Sequence, residues 1–208
     1  MHKPGLTRTS PGVGSDAASA SADEREVTCL RELAGRARRE GNLLSLRLAN
    51  GAIKTFRSNP EACRNDDANK CVTYRLVGFH AGSQRYLVLV AGYEDFQCWL
   101  VGARSGRATT LRNIPHFAPD GQTFFVTGYD AVYDNWLGIG SVASEPPALQ
   151  WEQAAPLYDS WEFVRWIDND RIALHETAQN ETCPGDCDAI LRRTGAAWTL
   201  ERVRPGSK

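Results

Sequence analysis

The chain repeats itself, and that repeat limits what it can fold into more than any other feature. Phe79-His80-Ala81-Gly82-Ser83-Gln84-Arg85-Tyr86 aligns without a gap with Phe117-Ala118-Pro119-Asp120-Gly121-Gln122-Thr123-Phe124, keeping the aromatic ends and the Gln. The match continues through Gly92-Tyr93-Glu94 against Gly128-Tyr129-Asp130 and Trp99-Leu100 against Trp136-Leu137, so the offset stays between 36 and 38 residues. A weaker third copy runs from Trp166 to Ile172. Units of this length cannot bury their apolar faces alone and must stack on one another.

Hydrophobic periodicity gives the content of each unit. After Gly41, Leu44, Leu46 and Leu48 alternate with Ser45 and Arg47, Asn50-Gly51 supplies a type I′ turn signal, and Ile53 and Phe56 open the return strand of a hairpin over Leu43 to Arg57. Ten further short strands are expected between Val72 and Val203, separated by turn residues such as Pro119-Asp120-Gly121 and Asp168-Asn169-Asp170. Before Gly41 the period is helical. Ser21 and Glu24 have capping-box spacing, and Val27, Leu30, Ala34 and Ala37 recur every three or four residues, which predicts one amphipathic helix over 23–40 with Arg31, Arg36, Arg38 and Arg39 on its exposed side. Residues 1–22, rich in Gly, Pro, Ser and Ala, read as a flexible leader. The organisation expected is a single β-rich domain over 23–208 with repeats at about 74–113, 114–154 and 159–203.

Phe117-Ala118-Pro119-Asp120-Gly121-Gln122 resembles the F-S-P-D-G-K turn between the first two strands of blades in TolB-like and WD-type β-propellers, with Ala118 in place of Ser. Trp166-Ile167-Asp168-Asn169-Asp170 is similar to a degraded W-S-P-D-G variant. The resemblance covers Tyr74 to Arg202 and implies four-stranded antiparallel blades whose turn aromatics anchor the inter-sheet core. Three units and the Leu43 to Arg57 hairpin make at most four blades, the lower limit of a closed propeller. The expected fold is therefore all-β, a small propeller-like or open stack of antiparallel sheets with one N-terminal helix.

Six cysteines bear on compartment. Cys63 and Cys71 flank a polar loop and Cys183 and Cys187 flank Pro-Gly-Asp, so each pair suits a local disulfide, leaving Cys29 and Cys98 for a third. Zinc is the rival reading, but structural zinc sites usually use short Cys gaps and Cys63 and Cys71 are too far apart in sequence. Disulfides place the protein in the periplasm or outside the cell. The first 22 residues hold no apolar stretch of seven or more, so a signal peptide is not present in this sequence; either the start is a mature or misassigned one, or the protein stays inside. The longest uncharged apolar run, Tyr86 to Tyr93, is too short to span a bilayer.

The net charge of −1 gives no basic excess of the kind nucleic-acid binding requires. It conceals an asymmetry: from Ile114 to Leu191 thirteen acidic residues face two basic ones, a local −11 that the rest of the chain balances with +10. A face of this sign suits a basic protein or peptide partner. Asp130 and Asp134, beside Tyr129, Tyr133 and Trp136, are the candidate binding residues, because aromatic anchors ringed by charge are typical of interface hot spots.

Motifs for covalent or phosphoryl chemistry are absent: the sequence has no Gly-x-Ser-x-Gly elbow, phosphate loop or His-Glu-x-x-His. No cofactor is implied. The oxygen-rich Tyr129 to Asp134 and Asp168 to Asp170 segments do not fit the twelve-residue calcium loop. His116, next to the repeat aromatic Phe117, is a candidate binding residue and the candidate base of the alternative reading, a hydrolase pairing it with Asp130 or Asp134. The leading reading is a non-catalytic bacterial binding protein, with an immunity or inhibitor role as one version.

Overall fold

A computed structural model describes residues 15–93, 95–130, 134–154, 161–176, 179–180, 183–184 and 187–203. In chain order come helix α1 (Ser15–Glu32), strands β1 (Ala37–Glu40), β2 (Leu43–Arg47) and β3 (Ile53–Arg57), and the short helix α2 (Pro60–Arg64). Then follow β4 (Thr73–His80), β5 (Arg85–Ala91), β6 (Phe96–Gly102), β7 (Ala108–Leu111), β8 (His116–Phe117), β9 (Thr123–Asp130), β10 (Asp134–Ser141) and β11 (Ala148–Ala154). The last elements are β12 (Trp161–Asp168), β13 (Arg171–Glu176), the two-residue β14 (Gln179–Asn180) and β15 (Cys183–Pro184), β16 (Cys187–Thr194) and β17 (Ala197–Val203).

Four antiparallel sheets result. Sheet I is β1-β2-β3, sheet II β4-β5-β6-β7, sheet III β8-β9-β10-β11, and sheet IV β12-β13-β16-β17, with β14-β15 a small ribbon on the β13 to β16 connection. Three to four strands per sheet, each a meander of neighbours in sequence, fit a propeller-like or blade-stack arrangement.

Aromatic side chains fill the seams between sheets that follow one another in the chain. Phe79, Tyr86 and Trp99 of sheet II face a core shared with Leu44, Leu46 and Phe56 of sheet I. Their counterparts Phe117, Phe124 and Trp136 of sheet III face a core shared with Val77, Leu87 and Leu100 of sheet II. Trp166 and Ile172 of sheet IV face a core shared with Phe125, Leu137 and Ile139 of sheet III. Strand alternation sends neighbours such as Tyr86 and Leu87 into two different seams. Each fully buried large side chain of this kind contributes about 1.5–3 kcal/mol.

Glycines give the larger rings room. A Cβ on Gly128 would stand 2.0 Å from Trp136 Nε1, and one on Gly138 2.4 Å from its Cζ3, so that indole lies flat over two bare positions. Gly140 does the same for Phe124, whose Cζ would be 2.1 Å from an added Cβ.

The helix expected over 23–40 is displaced toward the N-terminus. Its backbone spans Ser15–Glu32, which takes residues 15–22 out of the expected leader, and residues 1–14 lie outside the described residues. Gly35, at φ +81°, turns the chain after α1, and Ala37–Glu40 pairs with Leu43–Leu46 instead of continuing the helix. The buried face also differs, since Cys29 and Leu30 of α1, with Leu33 just after it, pack on the first core while Val27 is exposed. Part-buried Glu26 ties α1 to sheets I and II. Its carboxylate accepts from the Leu76 N–H at 2.8 Å and from Arg39 Nη2 at 2.5 Å, while Arg39 also donates to the Tyr74 carbonyl at 2.5 Å. Ser58 Oγ accepts from the Tyr74 N–H at 2.9 Å. The open edge of β4 is thereby satisfied by side chains at Tyr74 and Leu76.

Cys63 and Cys71 are disulfide-bonded, with Cα atoms 4.4 Å apart. The bridge closes the loop after α2, whose N-cap Asn59 accepts from the Ala62 N–H at 3.3 Å. Cys187 is also disulfide-bonded, while the side chain of Cys183 lies outside those described. The third expected bridge does not form. Cys29 and Cys98 are free and buried, and they belong to cores on opposite sides of sheet II, so the sheet itself separates them. Burial pushes the Cys98 thiol up to about 12. No helix among the described residues is long and apolar enough to cross a membrane.

Candidate functional site

Each meander has two ends, and chemistry-bearing residues gather differently at each. At one end emerge the hairpins joining the second and third strands of sheets II and III. The β5 to β6 hairpin closes through Gly92 N–H donating to the Asp95 carbonyl at 2.7 Å, and it presents Tyr93 and Phe96, each 47% exposed. Solvent-facing aromatics of this size on a hairpin tip are informative, because most such rings are buried. In sheet III the corresponding hairpin ends with Asp130 paired opposite Asp134, and Tyr129 opposite Asn135. The side chains of Tyr129, Asp130 and Asp134 lie outside those described, as does the whole of Tyr133. Sheets II and III share a core and their first-to-second-strand turns meet at the His80–Phe117 stack, so the two hairpins emerge at the same, opposite end, which carries Asp95, Asp130 and Asp134.

Two sequence candidates fall elsewhere. Trp136 is 6% exposed and belongs to the core between sheets II and III, with the Arg112 guanidinium 4.9 Å from its ring centre. His116 pairs opposite Phe125 at the start of β9, five positions from Asp130, which along a strand is roughly 17 Å. His116 and the two carboxylate residues therefore occupy opposite ends of sheet III.

At the His116 end lie the turns joining first to second strands, and there adjacent sheets are tied by stacked rings. His80 of sheet II stacks on Phe117 of sheet III at 3.7 Å and 4°, and His116 of sheet III stacks on Phe163 of sheet IV at 3.8 Å and 13°. Trp166 Nε1 donates to the His116 carbonyl at 3.0 Å, and the Asp120 N–H donates to Asn169 Oδ1 at 3.0 Å. Burial lowers the pKa of both histidines, and at His116 the cation of Arg25 lowers it further. Both rings are consequently neutral near pH 7. His80 Nδ1 lies 2.8 Å from Ser83 Oγ and also accepts from the Ser83 N–H at 3.2 Å, a local turn that holds the ring in place.

The acidic turn of sheet IV is consumed internally. Asp168 accepts from Arg171 Nη2 at 2.6 Å and from the Asp170 N–H at 3.0 Å, and the Arg171 hydrogen bond holds its carboxyl below the ordinary range. Among the described residues, no group of three or more His, Cys, Asp or Glu side chains gathers in a way that could hold a metal ion.

The sequence signal for Tyr93 was present, since Gly92-Tyr93-Glu94 aligns with Gly128-Tyr129-Asp130. Phe96 gave none, because a Phe at the start of an apolar strand reads as core.

No protein-family model matches the chain, and no curated protein does. Among solved structures it is similar to an uncharacterized protein of Listeria monocytogenes, at 10% identity and a TM-score of 0.45, over 64% of this chain and 41% of that one. It is also similar to an acylaminoacyl peptidase of Pyrococcus horikoshii, at 9% identity and a TM-score of 0.42, over 81% of this chain and 31% of that one. The chain spans less than half the length of either.

Proposed function

We propose that this chain is a non-catalytic binding protein of the bacterial periplasm or exterior, built of propeller-like blades. It engages a basic protein or peptide through the second-to-third-strand hairpins of sheets II and III. The observation that carries this reading is the pair of exposed rings, Tyr93 and Phe96, on a hairpin that also bears Asp95. The sequence adds Tyr129, Asp130, Tyr133 and Asp134 at the matching connection of sheet III. Aromatic anchors supply contact area at low entropic cost, and carboxylates around them select a cationic partner and speed its arrival. The Cys63–Cys71 disulfide supports an oxidising compartment. An immunity or inhibitor protein that masks a basic active site is the version such a surface suits best.

The test is association with the natural partner at two salt concentrations. Asp130→Asn combined with Asp134→Asn keeps shape and removes two charges, so folding survives, the on-rate falls, and the salt dependence flattens. An association rate unchanged by the double substitution and by salt would refute the reading.

A further inference from the structure

At the opposite end from those hairpins, the seam between sheets II and III contains an arginine in an unusual position. Arg85, the first residue of β5, is 3% exposed. Its Nη2 donates to Glu145 Oε2 at 2.7 Å and to the Ser144 carbonyl at 3.2 Å, both on the β10 to β11 connection. Its Nε and Nη1 are shielded from solvent and have no hydrogen-bond partner. Buried donors are almost always satisfied, and a guanidinium with two nitrogens idle is a feature that needs a function.

The surroundings leave a small space beside Nη1. Gly102 pairs directly opposite Arg85 on β6, and a Cβ there would stand 2.7 Å from Ser105 Oγ, 3.1 Å from Glu145 Oε1 and 3.5 Å from Arg85 Nη1. The bare glycine thus keeps open a small space where three polar groups converge. It belongs to a cleft of about 320 Å³ lined by Ser83, Gln84, Arg85, Gly102, Arg104 and Gln122 and bounded by Ser144 and Glu145. That volume lies at the lower end of the range of small-molecule sites. Arg85 and Arg104 outnumber Glu145, so the cleft is net cationic.

Glu145 is held as a fixed charge. Burial alone would raise its pKa, but hydrogen bonds from Ser105 and Arg85 and the charges of Arg85 and Arg107 outweigh that effect and lower it. It therefore occupies only the Nη2 side of Arg85, through Oε2, while its Oε1 accepts from Ser105 Oγ at 2.8 Å.

We propose that the cleft beside Arg85 binds a small oxyanion, a carboxylate or a phosphate. A ligand oxygen is received by Nη1 of Arg85, the nitrogen nearest the space at Gly102, once the exposed Ser105 side chain rotates aside, and Arg104 supplies the second positive charge. Oxyanions suit this donor because charge-assisted bonds to arginine are about twice as strong as neutral ones, and the second cation adds to that attraction. The site stands at the far end of sheets II and III from the acidic hairpins, so it is independent of the protein-binding reading above.

The experiment follows the Arg85 Nε–Hε resonance of the full chain while sodium succinate or inorganic phosphate is added, with sodium chloride at matched ionic strength as control. The expected result is a saturable shift with at least one of the two oxyanions and none with chloride; the anion that saturates identifies the headgroup. Gly102→Ala, which fills the space, weakens binding by about tenfold or more, and Arg104→Gln by about threefold. If Gly102→Ala does not fold, Arg104→Gln alone decides. No shift beyond the chloride control, or wild-type affinity in the folded variants, would overturn the proposal.

Discussion

At the seam between sheets II and III, His80 stacks on Phe117 while Phe124 and Trp136 fill the core. At the seam between sheets III and IV, His116 stacks on Phe163, and four tryptophans, Trp151, Trp161, Trp166 and Trp198, pack around Phe125 and Ile172. Aromatic cores fill both, yet the seams differ at the first residue of the second strand that borders each. On the III–IV side that residue is the uncharged Thr123 of sheet III, whereas on the II–III side Arg85 of sheet II reaches into the neighbouring sheet and stays buried with two nitrogens unmatched. The III–IV seam has its own orphan, the Trp161 indole N–H, but that group is uncharged. The comparison teaches that aromatic anchors set the stack, while the strand-start residue decides whether a seam serves packing alone or also leaves a charged cleft.

The largest effect is expected where the tryptophans are. Trp198→Ala removes a ring that is 7% exposed and sits 6.3 Å from Trp166, and its loss should cost about 3–5 kcal/mol in chemical denaturation. Gly140→Ala attacks the other seam by overpacking, since the new Cβ meets Phe124 at 2.1 Å, and about 1–3 kcal/mol should be lost. A loss below measurement error would mean that Phe124 is free to move.

Titration probes the two stacked histidines together. Their folded-state pKa values lie below the ordinary 6.5, so the unfolded chain binds protons more tightly. The stability that neutral His80 and His116 contribute is therefore complete above pH 6.5 and declines as pH falls from there through their folded-state values. His80→Gln and His116→Gln should each flatten part of that slope in urea titrations at stepped pH; an unchanged slope in both would mean that the rings are not the titrating groups.

The smallest effect is expected at Arg85. Arg85→Leu removes the buried orphan donors and leaves Glu145, 44% exposed, to solvent, so stability should stay within about 1 kcal/mol of the parent or rise. A loss of several kcal/mol would show instead that the ion pair holds the seam together.

Much of the stack was legible because its signals are local. Alternation in Leu44 to Leu48 and the Asn50-Gly51 turn specify a hairpin whatever surrounds it, and the aromatic repeat specifies which faces meet. What escaped depends on partners distant in sequence. Ala37–Glu40, with two arginines and a glutamate, has weak strand propensity and becomes a strand through pairing with β2 and through Arg39 bridging Glu26 and the β4 edge. Ala148–Ala154 likewise has no clean alternation, with Leu149 37% exposed, and is a strand through its pairing with β10. The candidate site was legible in part. The acidic hairpin of sheet III stood out through its charge, but the burial of Trp136 over two glycines and the exposure of Phe96 are decided by cross-strand neighbours that no local pattern reveals.

The central claim, that the hairpin end of sheets II and III is where this protein meets its partner, is tested most directly by photocrosslinking in the native host. A photoreactive phenylalanine analogue placed at Tyr93 should capture one discrete protein, and the same analogue at Asn50, in the exposed turn at the other end, should capture none. Capture at Asn50 with none at Tyr93, or equal capture at both, would contradict the account.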